Sequence, residues 1–164
     1  MTKKKIAAAA AGLLLTAFAA WNGVWYLHYR QYQAFRDKTE KVTVGGMDLY
    51  QTSRDGYLFS VSMPSYLHFN GNLSADKTIP GNTQSEITMI VWLSLFGADE
   101  YGVILNTPDG LQSQIYLDRQ GNPVFEDGDD QNYKDDVQFL VSENQEIIRE
   151  TYDAWDTVFG IREK

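Results

Sequence analysis

From Ile6 to Leu27 the chain reads IAAAAAGLLLTAFAAWNGVWYL, an uncharged run directly after Lys3, Lys4 and Lys5. The run is about 22 residues long and would cover roughly 33 Å as a helix, against about 30 Å for the hydrocarbon core of a bilayer. A segment of this kind leaves the rest of the chain few options. It either stays in a membrane and tethers the remaining residues, or it is a leader that is cut away. Ala17-Phe18-Ala19 has the A-x-A form of a signal-peptidase site. Retention is the preferred reading, because the apolar run continues through Trp21, Val24, Trp25, Tyr26 and Leu27, beyond the roughly 7 to 15 residues of a signal-peptide core. Secretion after cleavage is the alternative.

Basic residues in short flanks stay on the cytoplasmic side, so the three lysines predict an N-terminus inside and the C-terminal part outside. Trp21, Trp25, Tyr26, Tyr29 and Tyr32 cluster where such a helix leaves the bilayer, and amphipathic rings favour the headgroup layer. They are the expected membrane-interface residues. Trp21, Trp25, Tyr29 and Tyr32 also fall on one helical stripe, against which a partner helix could dock. The predicted organisation is a cytoplasmic stub with a transmembrane helix over 1–27, a juxtamembrane stalk over 28–41 and one extracytoplasmic domain over 42–164.

Residues 41–164 carry 8 basic and 20 acidic side chains, a net of −12 against −8 for the whole chain. That sign repels phosphate backbones and argues against a nucleic-acid partner. Cations and basic proteins fit better, although acidity also simply keeps an exported domain soluble. Expected partners are the lipid bilayer and an envelope protein. Cysteine is absent, which excludes disulfides, thiol nucleophiles and Cys-based zinc sites, and an exported domain without disulfides leans bacterial.

Within the domain, Val42 to Tyr50 reads as an edge strand interrupted by Gly45-Gly46, and Tyr57 to Met63 alternates as a half-buried strand ended by Pro64. Leu67 and Phe69 alternate with His68 and Asn70 in the same way. Ser74 to Ser85 is turn-rich and reads as the longest loop. Ile87 to Phe96 is apolar on both alternating faces, as in a central strand covered on two sides. Tyr101 to Asn106 and Leu111 to Asp118 flank Thr107-Pro108-Asp109-Gly110 and predict a hairpin. Val137, Leu140 and Val141 predict a helix, Ser142-Glu143-Asn144-Gln145 has the form of a capping box, and Ile148, Tyr152, Trp155 and Phe159 draw a stripe ending at Gly160. The predicted fold class is α+β, a small antiparallel sheet packed against a C-terminal helix.

The segment Asp55-Gly56-Tyr57-Leu58-Phe59-Ser60-Val61-Ser62-Met63-Pro64-Ser65-Tyr66-Leu67 resembles the opening strand of PsbP/Mog1-like domains, in which a glycine and aromatic strand runs into a proline followed by an aromatic. The tryptophan common after that proline is replaced here by Tyr66 or Leu67. The resemblance implies an αβα sandwich used mainly as a non-catalytic binding or assembly module, and it carries over no site residue.

No GxSxG, P-loop, GxGxxG or HExxH occurs. With His28 at the expected interface, a Ser-His-Asp triad would have to use His68, otherwise a solvent-facing strand residue. No catalytic residue is assigned. The densest oxygen cluster is Glu126 to Asp136, where Asp127, Asp129 and Asp130 are candidate calcium ligands, although the spacing departs from an EF-hand. The same residues also suit a solvated loop entering a helix, with Asn132 as N-cap and Asp135 and Asp136 favouring the helix dipole. No other cofactor is expected. The expected function is a membrane-anchored extracytoplasmic interaction or accessory module of the cell envelope. A small envelope hydrolase using carboxylates and a calcium-stabilised binding domain are the alternatives.

Overall fold

The computed structural model describes residues 2–44, 47–78, 85–106 and 112–160. Seven strands form one antiparallel meander in chain order: β1 Glu40–Val44, β2 Met47–Arg54, β3 Tyr57–Ser62, β4 Asn72–Thr78, β5 Ser85–Trp92, β6 Glu100–Asn106 and β7 Gln112–Leu117. Three helices accompany them, α1 Lys3–Arg36, α2 Gln131–Glu143 and α3 Gln145–Phe159. The class is α+β, as expected, with a long apolar N-terminal helix.

Period-two alternation decides which side of the sheet is buried. Phe59, Val61, Leu73, Ala75, Ile87, Met89, Val91, Val103, Leu105, Ile115 and Leu117 all point to one face and join a core completed by Tyr32 and Phe35 of α1, Val137 and Val141 of α2, and Ile148, Trp155 and Phe159 of α3. The C-terminal stripe therefore packs as its spacing predicts, and Gly160 ends α3 in the left-handed region at φ 66°. Lys38 Nζ donates to Phe159 O at 2.9 Å, satisfying a C-terminal carbonyl of α3, and Lys77 pairs with Glu150 at 3.2 Å to tie β4 to the same helix.

Several sequence expectations are corrected. Ser74 to Ser85 is not one loop: Asn72–Thr78 is a full strand paired with both β3 and β5, because Leu73 and Ala75 face the core while Ser74 and Asp76 supply the polar content of the other face. Residues 79–84 lie outside the described residues. The edge segment Val42 to Tyr50 belongs to two strands, with Val44 opposite Met47, and Gly45-Gly46 lie outside the described residues. The expected hairpin pairs as predicted, Asn106 opposite Gln112, with its turn at 107–111 also outside them. The Ser142 capping box does not form. Ser142 Oγ donates back to Phe139 O at 2.8 Å, and α3 begins after Asn144.

The resemblance to PsbP/Mog1-like domains implies helices on both faces, whereas the helical core residues here all join one face. Ile90 and Trp92 of β5 are correspondingly half-buried on the other side, where Trp92 lies over Gly102 and beside the Tyr116 ring at 5.7 Å. A Cβ on Gly102 would sit 2.9 Å from the Trp92 ring, so this contact requires glycine.

Over 28–41, where the sequence predicts a juxtamembrane stalk, the chain packs against the domain. His28, Tyr32 and Phe35 are buried in the domain, and only Asp37 to Thr39 separate α1 from β1. The Tyr32 hydroxyl donates to Gly71 O at 3.1 Å and accepts from Leu93 N at 3.0 Å, while the Phe35 ring meets Phe159 edge to face at 5.5 Å. Removing that hydroxyl strands the Leu93 amide in a buried position. Tyr32→Phe should therefore lower unfolding stability by about 1–3 kcal/mol in urea titrations of the full chain in detergent solution.

Candidate functional site

Two features stand out from the remainder of the surface: a seam between α1 and the β3–β4 loop, and a cavity under the start of α3. The seam begins with Trp21, whose ring meets Phe69 edge to face at 5.0 Å. Asn22 Oδ1 accepts from the Tyr66 hydroxyl at 2.8 Å, while Asn22 Nδ2 donates to Phe18 O. Trp25 Nε1 donates to Ser65 O at 2.8 Å, and its ring stands edge to face against Tyr66 at 5.0 Å. His28 is buried between Tyr32 and Phe69, close to the Phe69 and Asn70 backbone. Burial holds its imidazole below the usual histidine value.

The loop is shaped to make these contacts. Ser65 N donates to Asn70 Oδ1 at 2.7 Å, Asn70 Nδ2 returns a bond to Ser65 Oγ, and His68 N donates to Ser65 O. Leu67 sits at φ 61°, a conformation costing a non-glycine residue about 1–2 kcal/mol, so the surrounding bonds must hold it there. Gly71 at φ 120° closes the loop against Pro64 and Ser62 O, each 3.0 Å from where a Cβ would stand. Leu67 to Asn70 is thus not the strand its alternation suggests, and His68 is an exposed loop residue.

The five expected interface aromatics divide accordingly. Trp21 and Tyr26 are half exposed, at 49% and 51%. Trp25 and Tyr29 are partly covered, with their rings 5.3 Å apart, and Tyr29 also lies within 3.5 Å of Arg36 Nη1. Tyr32, only 1% exposed, belongs to the core. The chain's own β3–β4 loop covers Trp21 and Trp25 of the aromatic stripe.

The cavity measures about 960 Å³. Met89, Tyr101, Leu117, Ile148 and Tyr152 give it an apolar floor, with Arg119, Glu146 and Arg149 at its polar margin. Asp118 also borders it. Burial alone would raise the Asp118 carboxyl, but bonds from Asn122, Gln120 and Gly121 outweigh that and hold it below the usual range. Its oxygens accept from Gln120 N, Asn122 N and Asn122 Nδ2 at 2.8–2.9 Å, so this carboxylate shapes the turn after β7. Both histidines of the chain sit in or beside the α1 seam, away from the cavity lining. The cavity thus joins an apolar floor to a charged margin.

The candidate calcium ligands Asp127, Asp129 and Asp130 are not gathered into a site. Asp129 Oδ2 accepts from Glu126 N at 2.8 Å, Asp130 Oδ1 accepts from Asn132 N at 2.8 Å, and Asp127 is exposed. Asp130, not Asn132, is the N-cap of α2. Among the described residues no group of three or more His, Cys, Asp or Glu side chains could hold a metal ion. Sequence reasoning missed both the cavity, whose lining comes from distant segments, and the loop partner of the aromatic stripe.

Burial pushes the Tyr32 hydroxyl up to about 12, and burial followed by the neighbouring Tyr152 does the same for Tyr101. In the unfolded chain both would ionise near 10. The folded state keeps protons that the unfolded state has lost, so the contribution of these two hydroxyls is complete below pH 10 and falls as pH rises from 10 towards 12. Tyr101→Phe should make that alkaline fall shallower in denaturation midpoints measured across the range. Comparison with protein-family models, curated proteins and solved structures finds no match for this chain.

Proposed function

We propose that the chain is a membrane-anchored module of the cell envelope, with its N-terminus inside and its α+β domain outside, acting by binding rather than by catalysis. One observation carries this reading: Lys3 to Ala20 is helical and exposed along its whole length, yet continuous with helical turns built into the domain core. Beyond the three lysines, the exposed apolar part from Ile6 to Ala20 covers roughly 22 Å, so a crossing of about 30 Å extends into the helix as far as Trp25. The Thr16 hydroxyl and the Asn22 amide N–H group bond to carbonyls of the helix itself. Thr16 Oγ1 donates to Gly12 O at 3.0 Å and Asn22 Nδ2 to Phe18 O at 2.8 Å, as a low-dielectric surround requires. The lysines at one end support the inside assignment. The cavity beneath α3 is the candidate binding site, offering an apolar floor and two arginines at its margin.

Alkaline extraction of membranes from expressing cells should leave the protein in the pellet with its N-terminus intact. Recovery in the supernatant with a new N-terminus at Ala20 would show a cleaved leader and overturn the anchor. Because the chain has no cysteine, Thr2→Cys and Phe139→Cys give single labelling sites. An impermeant maleimide should reach position 139 on intact cells, and position 2 only after permeabilisation. The reverse pattern would invert the topology.

A further inference from the structure

We propose that the β3–β4 loop is itself a membrane-contact element, seating His68, Phe69 and Tyr66 in the interfacial layer of the bilayer beside the exit of α1, with Phe96 of the β5–β6 loop at the headgroup level. The proposal rests on the anchor reading and adds a second point of attachment.

The sheet register places both loops at one end. Ser62 pairs with Asn72 and Trp92 with Glu100, while Leu73 pairs with Val91 and Val91 with Tyr101, so the β3–β4 and β5–β6 connections leave the sheet together. Helix α1 crosses that end, with the Tyr32 hydroxyl on Gly71 O and Leu93 N and Gln31 Nε2 on Ser94 O. From Tyr32 the β3–β4 loop follows the helix back towards its N-terminus as far as Trp21, about 16 Å of helix axis. If the hydrocarbon core starts at Ile6, about 30 Å of it reaches roughly residue 25. The loop contacts on Trp21, Asn22 and Trp25 fall inside that length. The loop therefore meets the outer part of the bilayer.

Its chemistry suits that position. Although residues 41–164 carry a net charge of −12, no Asp, Glu, Lys or Arg occurs between Asp55 and Asp76, nor between Glu86 and Asp99. These two stretches contain both loops. Asp99, at the border, turns inward, its Oδ1 accepting from Ser94 N at 2.8 Å. Tyr66 is 59%, Phe69 40% and Phe96 85% exposed, which is costly in water and favourable among headgroups. Without basic residues the loop gains nothing from anionic lipid, so the contact is apolar and independent of salt.

The test uses the full chain in phosphatidylcholine vesicles containing brominated acyl chains, with an environment-sensitive fluorophore on Leu14→Cys, His68→Cys, Phe96→Cys or Phe139→Cys. The expected order of lipid quenching is 14, then 68, then 96, with 139 emitting as in water, and the signal at 68 unchanged by added salt. Quenching at 14 with water-like emission at 68 overturns the seated loop while leaving the anchor intact. Water-like emission at 14 as well as 68 overturns the anchor reading and the seated loop with it. Quenching at 68 that disappears in high salt also overturns the proposal, because it would mark an electrostatic contact.

Discussion

The last turns of α1 are part of the protein interior, and the arrangement of the rest depends on that insertion. Tyr32 occupies a place where two loops need a shared partner, donating to Gly71 O and accepting from Leu93 N. Phe35 then reaches Phe59's neighbourhood through Phe159, whose ring is edge to face with both. Burying side chains of this size contributes about 1.5–3 kcal/mol each, so the helix and the sheet stabilise one another rather than being joined by a tether. A helix built into the core this way fixes its direction relative to the sheet. With only Asp37 to Thr39 between α1 and β1, the sheet keeps a set angle to the helix axis.

Much of the fold is legible in the sequence because most strands and α3 announce themselves by period. Tyr57 to Ser62, the hairpin arms on either side of 107–111 and the Ile148-Tyr152-Trp155-Phe159 stripe all appear where alternation or helical spacing puts them. β4 was illegible for a physical reason. One of its faces looks out from an uncovered side of the sheet, so Ser74, Asp76 and Thr78 alternate with only two strongly buried residues, Leu73 and Ala75. Leu67 to Asn70 misled in the opposite sense. Its alternation is real, but the apolar partners of Tyr66 and Phe69 lie on α1, and Pro64 with Gly71 folds the segment onto itself before a strand can form.

The candidate site was less legible than the fold. Helical spacing identified the aromatic stripe from Trp21 to Tyr32 but not its occupant, since nothing local in a sequence says which distant loop will cover a helix face. The signal that was available is the absence of charge from 56 to 75, a long interval for so acidic a domain. The cavity left no such trace, because Met89, Tyr101, Leu117, Ile148 and Tyr152 each read as ordinary core residues. The acidic stretch was legible in type and misleading in purpose. Asp129 and Asp130 are spent on backbone N–H groups at the entry to α2, where a carboxylate caps the helix and complements its dipole.

Where the folded body begins bears on the choice between anchor and leader. The described domain contacts on α1 start at Trp21, and the residues from Lys3 to Ala20 are exposed. A cut after Ala19 would therefore leave the seam, the buried His28, Tyr32 and Phe35, and the whole sheet intact. The folded body is therefore the same in an anchored and in a cleaved form. In the proposed anchored form, the exposed rod and the turns up to Trp25 would make one bilayer crossing, beside a loop that bears no charge. An apolar helix and an uncharged aromatic loop at the same end are redundant for a secreted protein and mutually reinforcing for an anchored one. That coincidence is the physical reason for preferring retention.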